Sequence, residues 1–217
     1  MNKENRKYFY VSVCLLVAVA LWTAAVCLID VQPIGPQGST VGFASVNQFV
    51  HALTGVHMSL YTITDWLELV PFGFAASFAL LGLMQWIRRK HLLKVDRNIL
   101  VLGVFYVVVA AVYVLFEHFP VNYRPILING LPETSYPSST TLLVMCVMPT
   151  SALQMEGRIR NTLLRRCITL IISAFTVFMV IGRLVSGVHW FSDIIGSILL
   201  SAGLVLMYYS LSDWNAK

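Results

Sequence analysis

Long apolar runs separated by short polar connectors set the pattern of this chain. The first, about 8–29, is too long for a signal-peptide core and long enough to cross a bilayer as one helix. Five more runs of helical length follow at about 66–87, 99–116, 138–155, 167–182 and 190–209. Between the first two, residues 30–48 hold Pro33, Gly35, Pro36, Gly38 and Gly42, a loop composition. Residues 45–65 mix apolar and polar positions and read as a helix lying at the membrane surface. His51 and His57 in that segment read as interfacial side chains rather than ligands.

The pattern predicts an all-α fold, a six-span transmembrane helical bundle forming a single domain over residues 1–217. Composition agrees: 58% of residues are hydrophobic and 12% charged, a balance that excludes an ordinary soluble domain. A net charge of +5 raises nucleic acid as a partner, but the positions of the charges argue against it. Of fifteen Lys and Arg, thirteen lie at the N-terminus, in the connectors 88–97 and 158–166, or at Lys217. Six spans put both termini on one side, and the positive-inside rule makes that side cytoplasmic. Trp66, Trp86, Trp190 and Trp214 fall near span ends, as an aromatic belt requires. Cys14, Cys27, Cys146 and Cys167 lie in or beside apolar runs, so no disulfide and no thiolate metal site is expected.

The two cations left on the other face are Arg124 and Arg183. Topology does not call for them there, and a bound anion is the simplest reason for both. The alternative is a structural role, with bonds to Glu117, Glu133 or Asp193. Three polar stretches meet on that face. Tyr123-Arg124-Pro125 follows the third run. Tyr136-Pro137-Ser138-Ser139-Thr140-Thr141 opens the fourth, with Ser138 or Ser139 as helix cap and backbone donors turned toward an anion. The third is Gly182 to Asp193, in which Arg183 precedes His189 by six residues and Asp193 follows it by four. Helical i,i+4 spacing would bring Asp193 to one imidazole nitrogen, leaving the other free as a nucleophile. Ionisable residues beside apolar spans are rare and usually functional. Glu68 reads as interfacial or paired, with a role at this site left open. No carboxylates sit with histidine at a metal-ligand spacing, so no metal and no cofactor is expected.

These three stretches resemble the signature motifs of the type 2 phosphatidic acid phosphatase family, integral membrane lipid phosphatases sharing a core with soluble vanadium haloperoxidases. The resemblance covers roughly residues 66–211. It implies that His189 attacks phosphorus to form a phosphohistidine, oriented by Asp193. Arg124, Arg183, Ser138, Ser139 and Thr140 would then bind or border the phosphate. Four positions depart from the family. Gly182 stands where serine is usual. Glu117 stands where a lysine opens the first motif. Ser139-Thr140 replaces the Gly-His of the second, whose histidine is thought to protonate the leaving group. Threonine cannot do so near neutral pH. His118, Glu117 or Glu133 would have to supply the proton, or the substrate would be a diphosphate whose leaving group needs little help. The partners implied are a lipid phosphate or diphosphate and the bilayer, with the site facing outward from a bacterial plasma membrane. A catalytically impaired relative that still binds phospholipid headgroups, and a small membrane transporter, are the alternative readings.

Overall fold

The computed structural model describes residues 3–212; Trp214 and Lys217, used above for the aromatic belt and the charge count, lie outside the described residues. The helices are α1 (Lys3–Leu28), α2 (Ala44–Thr54), α3 (Met58–Leu67), α4 (Leu69–Arg89), α5 (Arg97–His118), α6 (Ser139–Glu156), α7 (Thr162–Val185) and α8 (Phe191–Leu211). Apolar runs become helices because a helix satisfies its backbone within itself, which hydrocarbon demands. Among the described residues, five stretches are long and apolar enough to cross a membrane: α1, the pair α3–α4, α5, α7 and α8. Their outward faces carry exposed apolar side chains, such as Val104 and Val107 on α5 and Leu170, Ile171 and Val177 on α7. The chain is a multi-pass membrane protein.

The expected fourth run differs. α6 forms almost where the sequence places it, yet it lacks the apolar content of the other five. The reason is position. Leu142 and Cys146 join one core cluster with residues of α1, α4, α5 and α8, while Val144 and Met148 join a second with Ile172 and Met179 of α7. A helix surrounded by other helices needs no lipid-facing side, so it can carry hydroxyls and amides if they are bonded. Thr150 donates to the carbonyl of Cys146, and Gln154 to Asn98 O and Tyr208 Oη.

The surface segment also divides differently. Residues 45–65 form α2 and α3, and α3 runs on into α4 with only Glu68 between, itself at near-helical angles (φ −60°, ψ −21°). α3 packs against α7 where a Cβ on Gly182 would meet Thr64 Cγ2 at 2.8 Å, so a serine there would collide with α3. That packing accounts for the departure at Gly182.

α1 lies antiparallel to α8: Ser12 Oγ donates to Gly203 O at 2.8 Å and Trp22 Nε1 to Ser192 O at 3.2 Å. The start of α1 and the end of α8 therefore share one end of the bundle. The opposite end holds the α5–α6 connection, the α7–α8 connection and α3.

Candidate active site

The connection from α5 to α6 is a small hairpin. Tyr123 pairs with Thr134 and Ile128 with Leu131, around Asn129 and Gly130, both at positive φ (51° and 77°). Asn-Gly is the preferred two-residue turn for such a hairpin, because both positions must be left-handed. Arg124 N donates to Glu133 O and Ser135 N to Asn122 O, so the two arms are held in register. The feet of the hairpin reach His189 and Asp193. Trp190 Nε1 donates to Tyr123 O at 2.8 Å, tying the hairpin to the start of α8.

His189 lies two residues before α8, not on it. Asp193 is the third residue of that helix and reaches back to accept from Trp190 N at 2.9 Å, half of a capping box. Its Oδ2 stands 3.9 Å from His189 Nδ1, beyond hydrogen-bond reach. Ser135 fills the gap. Its Oγ donates to Asp193 Oδ2, and His189 Nδ1–H donates to the Ser135 carbonyl at 3.1 Å and to its Oγ at 3.2 Å. Asn122 Nδ2 donates to the other carboxylate oxygen at 3.1 Å. Where the spacing predicts a direct contact between the two residues, the structure links them through Ser135. A carbonyl acceptor at Nδ1 places the proton there and leaves a lone pair on Nε2. Arg124 Nη1 donates to that Nε2 at 3.4 Å. Burial holds the ring neutral well below its ordinary value of 6.5, and the charges of Arg124 and Arg183 push the same way, against the Ser135 carbonyl.

Arg183, at the end of α7, is buried, with 2% of its side chain exposed. Its Nη2 donates to Asp65 Oδ1 at 3.2 Å and to Thr140 Oγ1, and lies 3.6 Å from Glu68 Oε2. Its Nε and Nη1 are buried without a hydrogen-bond partner. Unmet guanidinium donors in a buried site are costly unless an anion takes them. The guanidinium groups of Arg183 and Arg124 share one aromatic ring, Tyr61, at 5.0 and 5.9 Å from its centroid. Tyr61, Asp65 and Glu68 follow one another at spacings of four and three, one helical face formed by α3 and the Glu68 that ends it. Sequence reading missed that face.

A polar cavity of about 440 Å³ opens at this end, with Glu117, Tyr123, Arg124, Glu133, Ser139 and His189 among its walls. Ser138, Thr140 and Arg183 are buried and are not among its walls. Ser138 is the cap of α6, its Oγ accepting from Thr141 N at 3.5 Å. Arg124 Nε pairs with Glu133 at 3.1 Å, and Glu117 accepts from Thr134 Oγ1 at 2.9 Å. His118 bonds back to Val114 O. His51 stacks near Trp190, and His57 bonds to Thr54 O, so neither reaches the cavity. The loop carrying His57 docks by its backbone on Ser186 O, and Gly187 (φ +70°) makes this fit possible, since a Cβ would meet Gly55 O at 1.9 Å. A buried neutral imidazole beside two guanidinium groups can hold a phosphoryl group and attack it.

Residues 117–217, which span all three stretches, match the PAP2 superfamily. No curated protein matches the chain in sequence. In fold it is similar to a crystal structure described as the first transmembrane PAP2 type phosphatidylglycerolphosphate phosphatase from Bacillus subtilis, at 18% identity and a TM-score of 0.57. That likeness covers 93% of this chain and 94% of the other.

Proposed function

We propose that the chain, whose residues 117–217 match the PAP2 superfamily, is an integral membrane lipid phosphatase that works through a phosphohistidine on His189. The observation carrying this reading is His189 Nε2, 3.4 Å from the Arg124 guanidinium on the wall of a polar cavity. Arg124 and the unpartnered donors of Arg183 take the phosphate oxygens, and the start of α6 at Ser139 adds backbone donors. Asp193 acts on His189 through Ser135, fixing the tautomer and steadying the ring as it gains positive character. The arginines and helix start supply the charge stabilisation that a metal would otherwise give, so chelation leaves turnover unchanged.

α6 serves as a sixth span inside the ring of the other five. With the basic connectors on the cytoplasmic side, the site faces away from the cytoplasm. An apolar cavity of about 390 Å³ adjoins the polar one and shares Tyr113, Ser139 and Leu142 with it. That junction favours a substrate with a phosphate head and an apolar chain. Assaying the purified protein against a panel of lipid mono- and diphosphates in detergent micelles, with and without EDTA, tests the proposal. Release of phosphate from at least one lipid is expected; none from any contradicts it.

Two further results are expected. Ser135→Ala keeps the carbonyl that fixes Nδ1–H but breaks the link to Asp193, and should lower kcat about tenfold, the worth of one hydrogen bond near 1.4 kcal/mol. An unchanged kcat would place Ser135 outside the mechanism. Since acid protonates the nucleophile only well below pH 6.5, the acidic limb of kcat/KM should lie below that value. Arg124→Gln removes one repelling charge and should move the limb upward; a limb at or above pH 6.5 in the unaltered protein contradicts the neutral imidazole.

A further inference from the structure

A lipid monoester leaves as an alkoxide unless an acid protonates it, and neither His189, the nucleophile, nor either arginine can serve. Glu68 is joined to the buried arginine through Thr140 and borders the apolar cavity. Its Oε2 accepts from Thr140 Oγ1 at 2.9 Å, and that hydroxyl in turn accepts from Arg183. Glu68 lines that cavity together with Phe72, Tyr106 and Leu143, and Ser139, the sequence neighbour of its partner Thr140, lines both cavities. The oxygen that leaves is the one bonded to the lipid chain. With phosphorus at His189 and the chain in the apolar cavity, that oxygen lies at the junction beside Glu68.

Charge explains why the carboxyl would hold a proton when it is needed. The groups facing Glu68 are Asp65 on α3, Tyr113 on α5, Thr140 on α6, Arg183 on α7 and Arg124 on the hairpin. Asp65 and Glu68 already share Arg183, at 3.2 and 3.6 Å. A phosphate dianion drawing on the same guanidinium puts three anionic groups around one cation, which favours proton uptake by a neighbouring carboxyl. Asp65 is the more exposed of the two, at 53% of its side chain against 22% for Glu68, so Glu68 is the carboxyl that the site shields from water. The other candidates are engaged and none lines the apolar cavity: Glu133 pairs with Arg124, Glu117 accepts from Thr134, and His118 bonds back to its own helix.

We propose that Glu68 is the acid that protonates the departing lipid oxygen, with Thr140 as its positioning residue and the apolar cavity holding the first part of the lipid chain. The inference rests on the phosphatase reading above. As the His189 Nε2–P bond forms and the P–O bond to the lipid breaks, the proton of Glu68 passes to that oxygen and the lipid leaves as an alcohol. The carboxylate then takes a proton from the water that attacks the phosphohistidine, returning His189 neutral, releasing phosphate and restoring the acid. The favoured substrate is accordingly a lipid monophosphate with an alkyl leaving group.

The test compares Glu68→Gln, Thr140→Val and the unaltered full-length protein on two phosphates of equal chain length. One is a long-chain alkyl phosphate; the other is a nitrophenyl phosphate bearing the same chain, whose leaving group departs without a proton. Glu68→Gln should lose about 10²- to 10⁴-fold on the alkyl phosphate, the range for a general acid, and less than about tenfold on the nitrophenyl ester. Thr140→Val should show the same selectivity at smaller size. Equal losses on both substrates, or no loss on either, would overturn the role of Glu68 while leaving the phosphatase reading intact. If the unaltered protein cleaves neither, the phosphatase reading itself fails and this inference falls with it.

Discussion

His189→Ala should lower phosphate release from any accepted lipid by on the order of 10⁴- to 10⁶-fold, the scale seen when a nucleophile is removed from an otherwise intact site. The loss should fall on kcat, since Arg124 and Arg183 still bind the phosphate. Alanine also strips the Ser135 carbonyl of its donor, at a cost of about 1–3 kcal/mol for a buried acceptor. His189→Asn separates the two effects. Its amide can replace Nδ1–H toward Ser135 but offers nothing in place of Nε2, so it should fold like the unaltered protein and remain inactive. Turnover by His189→Asn within tenfold of the unaltered rate would remove the nucleophile from the scheme. It would leave a phosphatase whose nucleophile is another group.

The second large effect is expected at Arg183. Arg183→Leu removes two unpartnered donors and the cation shared by Asp65, Glu68 and Thr140. Losing preorganised donors of this kind typically costs about 10²- to 10³-fold in rate. Stability should fall as well, because two carboxyl groups lose their counter-charge. Arg183→Lys tells charge from shape: it keeps the cation but not the planar fork. If the phosphate is gripped through Nε and Nη1, lysine should recover the thermal midpoint more fully than kcat/KM. Equal recovery of both would mean that Arg183 supports the fold and does not touch substrate.

Much of this fold was legible because lipid leaves a helix few alternatives, so the length and apolarity of each run fixed its state. α1, α5, α7 and α8 lie close to where the runs place them. The case of α6 shows the limit: its period and cap were readable at Ser138, but its central place in the bundle comes from contacts with α1, α4, α5, α7 and α8 that no local pattern encodes. At the site, Arg124, His189 and Asp193 come together, with Arg183 close enough for its charge to act on the imidazole. The link between His189 and Asp193 was misread, because i,i+4 spacing implies a shared helix, whereas α8 begins after His189 and Ser135 comes in from the hairpin. Two signals were present and unread. Asn129-Gly130 marks the hairpin turn, hidden among the prolines of 117–137. Tyr61, Asp65 and Glu68 mark one helical face of α3 and its C-terminal end, hidden because a mixed polar and apolar segment looks interfacial until its partner Arg183 is in view.

The most direct measurement is to incubate the protein with a lipid phosphate labelled with ³²P, quench in denaturant and locate the label. The expected product is a phosphoprotein labile in acid and stable in base, with the label on the peptide containing His189 and absent from His189→Asn. Hydrolysis that proceeds at full rate with no labelled protein at any quench time, or label on another residue, would contradict a phosphohistidine at position 189.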